Sequence, residues 1–492
     1  MLYCSTRDDG IMATASRIIV KGISDDGGLF VPVDIPKLLP HALGSLGADY
    51  SKLASKVIAP YFDDFAQNTI DAVCGLSYSD NFANRPVSVH KLEEGLFSLE
   101  LWHGPTLAFK DMALQLLPRL LCEAKRINNI KSQSLLLVAT SGDTGKAALE
   151  GFRDVDGVGV CVFYPLKGVS EIQRKQMTTQ RGENLFVAAV DGTFDHAQRA
   201  VKSLMTERGV IDELAEMNIQ FTSANSINFG RLAPQIVYYY SSYLHLIENG
   251  EIAPGDEVNF SVPSGNFGNI LAGYLAKEMG LPINKLICAS NKNDVLTEFI
   301  RTGVYDANRD FYTTSSPSMD ILVSSNVERL VWWIAGRDAK RTKRLYESFQ
   351  ESRRFSLSER ESSLLKESFS AFSCDERDTK KIIKTVFDTY GYLIDPHTAV
   401  GFEAVFQYRE QSGDSRPVIS LSTASPFKFA TSVLSALGET ETDGFAALSA
   451  LSEYSGTPIP ERIGELNTLE ERFTDIFRVG EEKKALQKFL QK

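Results

Sequence analysis

Lys110 stands between Phe109 and Asp111 in LWHGPTLAFKD (Leu101 to Asp111), just ahead of the apolar run MALQLLPRLL. A lysine held at the start of an apolar helix, after the Gly104-Pro105 turn, is disfavoured as an ammonium by burial and by the positive helix N-terminus. Its pKa is expected to fall, and a neutral amine can attack a carbonyl and form a Schiff base. Three glycine- or serine-bearing turns could serve such an amine. SGNFGN, Ser264 to Asn269, follows an apolar run and opens a helical pattern. Its glycines allow close backbone approach and its N–H groups converge at the helix start, a cradle suited to a phosphate; a plain strand-to-helix turn is the alternative. SGDTG, Ser141 to Gly145, offers the Ser141 and Thr144 hydroxyls beside free N–H groups, which suits a carboxylate. Asp143 is out of place in an anion site and is expected to orient a neighbour or face a cation. STASP puts Thr423 at a strand end, where a helix cap is the alternative. ANSINFGR, Ala224 to Arg231, gathers Asn225, Ser226, Asn228 and Arg231. The guanidinium of Arg231 is a planar fork for carboxylate or phosphate, with a structural salt bridge as the alternative.

The elements that must position these groups repeat one pattern. LLLVAT (Leu135 to Thr140), VNFSVP (Val258 to Pro263) and VISLST (Val418 to Thr423) each end in one of the three turns and lead into a helical stretch. Strand, turn and helix in alternation predict an α/β fold with a largely parallel sheet, in which ligands gather at the C-terminal ends of strands. Residues 1–85 read as a separate leading unit, with turn signals at SDDGG and a helical pattern from Tyr50 to Phe65; residues 86–492 carry the chemistry, with a smaller α/β domain over about 131–220. Residues 336–385 are dense in Lys, Arg, Glu and Ser, and Leu345, Phe349 and Phe355 are only loosely periodic, so a solvated helical insertion is expected there.

Composition excludes several classes of function. With 492 residues, 43% hydrophobic and 23% charged, the chain is globular and long enough for two or three domains. Its net charge of -11 argues against nucleic-acid binding, which needs clustered Lys and Arg, so any anionic ligand must be held by a local site. The six cysteines form no C-x-x-C pair and the six histidines no H-E-x-x-H motif, so neither a metal site nor a disulfide framework is expected. GDTGKA is not a nucleotide-binding P-loop: two residues rather than four separate Gly142 from Gly145, and Ala147 replaces the Ser/Thr. The N-terminus MLYCSTRDDG has no apolar core of a secretory signal, and no apolar run reaches the length of a membrane span, so a cytoplasmic protein is expected.

A reactive lysine, a phosphate cradle, a carboxylate-friendly turn and a hydroxyl at a strand end together fit pyridoxal 5′-phosphate (PLP) held as a Schiff base. The chain resembles the threonine synthases of the longer bacterial and fungal type along nearly its whole length. The similarity rests on YCSTRDDG, KGISDDGGLFVP, LWHGPTLAFKD, LVATSGDTGKAALEGF, SANSINFGRLAPQIVYYY, VPSGNFGNILAGYLAKEMGLP and SPSMDILVSSNVERL. This resemblance implies a tryptophan-synthase-β-like (fold type II) enzyme, with two α/β domains flanking the cofactor after an N-terminal unit. It implies that Lys110 bears the cofactor. Gly265, Asn266, Phe267, Gly268 and Asn269 would hold its phosphate, and Thr423 would bind the pyridine nitrogen. The SGDTG turn (Ser141, Asp143, Thr144) would meet the substrate, and Ser226, Asn228 and Arg231 are candidates for a second anion. Ser425 stands where many members have a histidine after Thr-Ala. The implied reaction turns O-phospho-L-homoserine and water into L-threonine and phosphate in a monomeric enzyme. The alternative is a related PLP phospholyase that yields a keto acid and phosphate.

Overall fold

The apolar runs are strands because they are buried on both faces, where side chains need not alternate with polar ones. All six residues of Val258–Pro263 are buried, as are five successive residues of the strand Gln133–Ala139. In the computed structural model, which describes residues 1–82, 85–440 and 444–491, these runs build two α/β sheets. The larger is six-stranded, in the order Phe369–Ser373, Ile283–Ser290, Val258–Pro263, Val418–Ser422, Leu96–Glu100, Ser88–Glu93. All its neighbours are parallel except the last pair. The smaller is five-stranded and wholly parallel, in the order Ile476–Arg478, Leu185–Asp191, Val158–Pro165, Gln133–Ala139, Ile219–Thr222.

The three turns lie at strand C-termini. Gln133–Ala139 leads to the helix Asp143–Gly151, and Val258–Pro263 to the helix Gly268–Met279. Val418–Ser422 passes through a 3-10 turn, Pro426–Phe429, to the helix Ala430–Leu437. The first turn belongs to the small sheet and the other two to the large one, so they meet across the cleft between the sheets.

The leading unit is a three-stranded antiparallel sheet, Met12–Thr14, Leu2–Ser5 and Phe30–Pro32, with helices Tyr50–Ile58 and Gln67–Ser77. The helical pattern from Tyr50 tightens into a 3-10 turn at Ala59–Tyr61, because Pro60 has no N–H to continue the ladder. Arg7 grips Glu328 through two bonds of 2.8 Å, and the buried Arg329 donates from Nε to the Phe30 carbonyl at 2.9 Å. These contacts fix the start of the helix Val327–Ile334 and, with it, the loop 316–326 that borders the cleft.

Two boundary expectations need correction. The small sheet extends beyond about 131–220, because Ile476–Arg478 from the far end of the chain completes its edge against Leu185–Asp191. The helix Glu482–Leu490 follows, with Ala485 and Leu486 buried and Phe489 stacked on Phe186. Residues 336–385 are not a purely helical insertion. They hold the helices Ala339–Ser352 and Glu359–Ser368, but Phe369–Ser373 is the parallel edge strand of the large sheet. The dense charges around FSAFS mask its buried phenylalanines. Phe349 and Phe355 pack instead on Tyr305, at 5.5 and 5.3 Å between ring centroids.

If the C-terminal helix is part of the small domain, Leu486→Ala should cost about 2–5 kcal/mol and lower the urea midpoint accordingly. An unchanged midpoint would detach it from that core.

Candidate active site

Lys110 closes the segment that follows Leu96–Glu100 and is the N-cap residue of a short helix, Asp111–Leu114. The Phe109 N–H donates to the Thr423 carbonyl at 2.8 Å, and Ala108 bridges Ala424. Lys110 and Thr423 are therefore laid side by side, and both line a cavity of about 750 Å3 between the two sheets. Lys110 is 8% exposed; its Nζ lies 3.3 Å from Asp143 Oδ2 and donates to the Ser318 hydroxyl at 3.0 Å. Burial pushes its amine below the ordinary lysine value. Asp143 opposes that shift, while Lys428 and Arg231 add to it.

Asp143 opens the helix Asp143–Gly151 and is buried. Its Oδ1 pairs with Lys428 Nζ at 2.7 Å and accepts from Gln173 Nε2 at 2.9 Å. Burial alone would raise this carboxyl, but Lys428 first and Lys110 after it hold it well below the usual carboxylate range. Asp143 thus faces cations, and its oxygens are engaged by the chain itself rather than offered to a substrate. Of the turn's N–H groups, those of Gly142 and Gly145 are taken, both donating to the Thr140 hydroxyl at 2.9 Å. Ser141 and Thr144, at the start of the helix, line the cavity.

The second turn is a cradle. Phe267, the N-cap of Gly268–Met279, has φ 63, a left-handed conformation that a bulky residue adopts only when held. Its ring is buried and packs on Phe369 at 5.8 Å, so the ring serves the core and only the backbone around it faces the cavity. A Cβ on Gly265 would lie 2.6 Å from the Ser318 carbonyl, whereas one on Gly268 would meet no protein atom nearer than 3.5 Å and would fill the cavity instead. The Asn266 carbonyl accepts from the Asn326 N–H at 3.1 Å, which anchors the loop. Asn269 accepts at Oδ1 from Tyr238 and Tyr239 at 2.6 and 3.0 Å, while its Nδ2 is buried with no partner. An orphan donor beside a helix N-terminus suits a phosphate.

Arg231 lies on the same cavity, with Asn225 and Ser226. It is 5% exposed; its Nη1 donates to the Ala224 carbonyl at 2.7 Å, and its Nε is buried without a partner. Burial lowers its pKa to about 10. No carboxylate pairs with it among the described residues, so the structural salt bridge is not what it makes. Asn228 is a correction. Its Nδ2 donates to the carbonyls of Ile19 and Ser223 and its Oδ1 accepts from the Gly230 N–H, so it caps a helix and ties the loop to the leading unit, away from the cavity.

Four residues escaped the sequence reading. Lys428 sits in ASPFKF directly after the Thr423 turn, where its charge inside an apolar run was the available signal. Gln173 and Ser318 carried none: Gln173 reaches Asp143 from the neighbouring helix Glu171–Thr178 of the small domain, and Ser318 from the loop 316–326. His397 lines the cavity; its Nε2 accepts from the Ser318 N–H at 3.2 Å, which places the ring proton on Nδ1, facing Asp395 Oδ2 at 2.6 Å. Ser425 is fully buried, with its N–H bonded to the Leu107 carbonyl and its hydroxyl unpartnered; it does not line the cavity.

The donor set fits pyridoxal 5′-phosphate: an amine inclined to neutrality, a glycine cradle with an orphan amide donor, and a neutral hydroxyl, Thr423, on the wall beside the amine. Family models agree with this reading. Residues 85–423 match the pyridoxal-phosphate-dependent enzyme model, residues 2–78 the threonine synthase N terminus and residues 398–489 the threonine synthase C-terminal model. The chain is 38% identical to threonine synthase of Pseudomonas aeruginosa over 88% of its own length and 90% of that protein's. It is 37% identical to threonine synthase of Eremothecium gossypii, over 96% and 94%. The crystal structure of PLP-bound threonine synthase from Brucella melitensis superposes with a TM-score of 0.88 at 33% identity, covering 100% of this chain and 99% of that one.

The tight approach of Gly265 to Ser318 generates a test. Gly265→Ala must push two backbones apart, a strain of about 1–3 kcal/mol. PLP affinity should fall roughly 5- to 150-fold, read by titrating the visible band of the lysine-bound cofactor. Unaltered affinity would place the cofactor elsewhere.

Proposed function

The chain belongs to the threonine synthase family, and we propose that it converts O-phospho-L-homoserine and water into L-threonine and phosphate. The observation that carries the substrate assignment is Arg231: a buried guanidinium with an unpartnered Nε, on the same cavity as Lys110. A buried cation without a carboxylate is costly unless an anion completes it. The substrate brings a phosphate, and Asn225 and Ser226 stand beside Arg231 to share it.

PLP, when bound, supplies an electron sink for negative charge developed next to the substrate amine. The backbone of Gly265–Asn269 and Nδ2 of Asn269 would hold its phosphate, and the Thr423 hydroxyl would meet its ring nitrogen. Lys110 would bear the cofactor and would be the base that takes and returns protons at the substrate carbons. It can do so because it is deprotonated more readily than an exposed lysine, and because the Ser318 hydroxyl orients it. Ser141 and Thr144 hold the substrate carboxylate. Arg231 stabilises the departing phosphate at the γ carbon. Water then adds at the β carbon, which distinguishes this reaction from simple loss of phosphate to a keto acid.

All six cysteines are free thiols, as expected of a cytoplasmic enzyme, and no helix among the described residues is long and apolar enough to cross a membrane.

Two measurements check this reading. Borohydride reduction of the PLP-loaded protein should fix the pyridoxyl group on the peptide containing Lys110, and Lys110→Ala should lose both the visible band and threonine formation. Arg231→Ala removes one charged partner, worth roughly 1.5–3 kcal/mol, and should raise the KM for O-phospho-L-homoserine about ten- to a hundredfold while the spectrum of the lysine-bound cofactor stays normal. An unchanged KM with a lowered melting temperature would make Arg231 a brace for its turn and no more. A keto acid in place of threonine as the product would overturn the proposed reaction.

A further inference from the structure

Lys428 is 1% exposed, yet its role is not accounted for by packing alone. It rides on the 3-10 turn Pro426–Phe429 of the large sheet, donates to the Thr106 carbonyl at 2.9 Å and meets Asp143, which belongs to the small sheet, at 2.7 Å. Asp143 therefore has two ammonium neighbours at unequal distances, Lys428 at 2.7 Å and Lys110 at 3.3 Å. One carboxylate cannot neutralise two buried cations, so one lysine must be the surplus. Coulomb attraction favours the shorter pair. Lys110 has a second partner that asks for no charge, the Ser318 hydroxyl.

The remaining charges around the cluster are engaged as follows. Arg231 is a further cation acting on Lys110. Near Lys428, Asp111 is bonded to the N–H and hydroxyl of Thr106, and Lys146 is paired with Glu150 at 3.0 Å. Among the described residues, Asp143 is otherwise met only by neutral groups, Gln173 Nε2 and the Ser318 hydroxyl.

We propose that Lys428 is a positioning residue that takes Asp143 as its own ion partner and so leaves Lys110 the free amine that captures the cofactor aldehyde. Capture joins Nζ to the aldehyde carbon and releases water, and it needs the Nζ lone pair. Without the Lys428 charge, Asp143 would serve Lys110 and hold it as an ammonium. The inference rests on Lys110 being the cofactor lysine.

The experiment follows the rate at which the full chain, freed of cofactor, captures PLP as a function of pH. The wild type is compared with Lys428→Met, Lys428→Arg, Asp143→Asn and the Lys428→Met/Asp143→Asn double variant. An unopposed carboxylate neighbour raises an amine pKa by about one unit or more. The acid limb of Lys428→Met should therefore move up by about that amount, slowing capture below it roughly tenfold. Lys428→Arg should keep the wild-type limb, and the double variant should lose the upward shift. Should Lys428→Met fail to fold, Lys428→Gln, which can still donate to Thr106, makes the same comparison. An acid limb that does not move in the uncharged variant, or that moves equally without Asp143, would overturn the inference. Borohydride mapping separates the two layers. A label on another lysine would overturn the reading of the site, whereas a label on Lys110 with an unmoved limb would overturn the role of Lys428 alone.

Discussion

A buried carboxylate with two cationic neighbours, Asp143 between Lys110 and Lys428, is the constraint on which the rest of the site depends. The three residues come from three separate stretches: the segment after Leu96–Glu100, the turn after Gln133–Ala139 and the turn after Val418–Ser422. Two belong to the large sheet and one to the small, so the charge pattern exists only while the two sheets face one another. Burial makes the arrangement costly, and it also makes it useful. In low dielectric a surplus ammonium gives up its proton more readily than in water, and a neutral amine is the form that can act as nucleophile and base.

Around this cluster the backbone is shaped by close approach. Gly265 abuts the Ser318 carbonyl, Ser318 reaches Lys110, and the Ser318 N–H is held by His397, itself steadied by Asp395. The loop that carries Ser318 is anchored through Glu328 and Arg329 to Arg7 and Phe30 of the leading unit. The N-terminal residues, far from the cavity in sequence, thereby help to fix the geometry of the reactive lysine. Opposite them, Asn269 Nδ2 and Arg231 Nε are buried donors without partners, at two places on one cavity. Two waiting donors suit two anionic groups held at separate places.

Much of this was legible in the residues because local chemistry encodes it. Strand, glycine turn and helix recur at SGDTG, SGNFGN and STASP, and each does sit at a strand C-terminus on the cavity. Lys110 drew notice by standing before an apolar helix, and it lines the cavity. What stayed hidden arises from contacts between distant segments. Asn228 looked like an anion ligand from its neighbours, yet its amide is consumed by Ile19 and Ser223. The SGDTG turn looked to offer free N–H groups, yet Thr140, at the end of the preceding strand, takes those of Gly142 and Gly145. Phe369–Ser373 lay within a charged stretch whose pattern suggested helix, but it is pinned as an edge strand by Ile283–Ser290. The strand Ile476–Arg478 is too short for a periodicity signal and is recognisable only by its pairing with Leu185–Asp191.

The most direct measurement is the 15N NMR titration of the Lys110 Nζ in the full chain freed of cofactor, assigned by its absence in Lys110→Met. The buried cluster requires this amine to lose its proton at a lower pH than the exposed lysines of the same chain. A Lys110 signal that titrates together with those exposed lysines, or above them, would show that Asp143 holds it as an ammonium and would contradict the account.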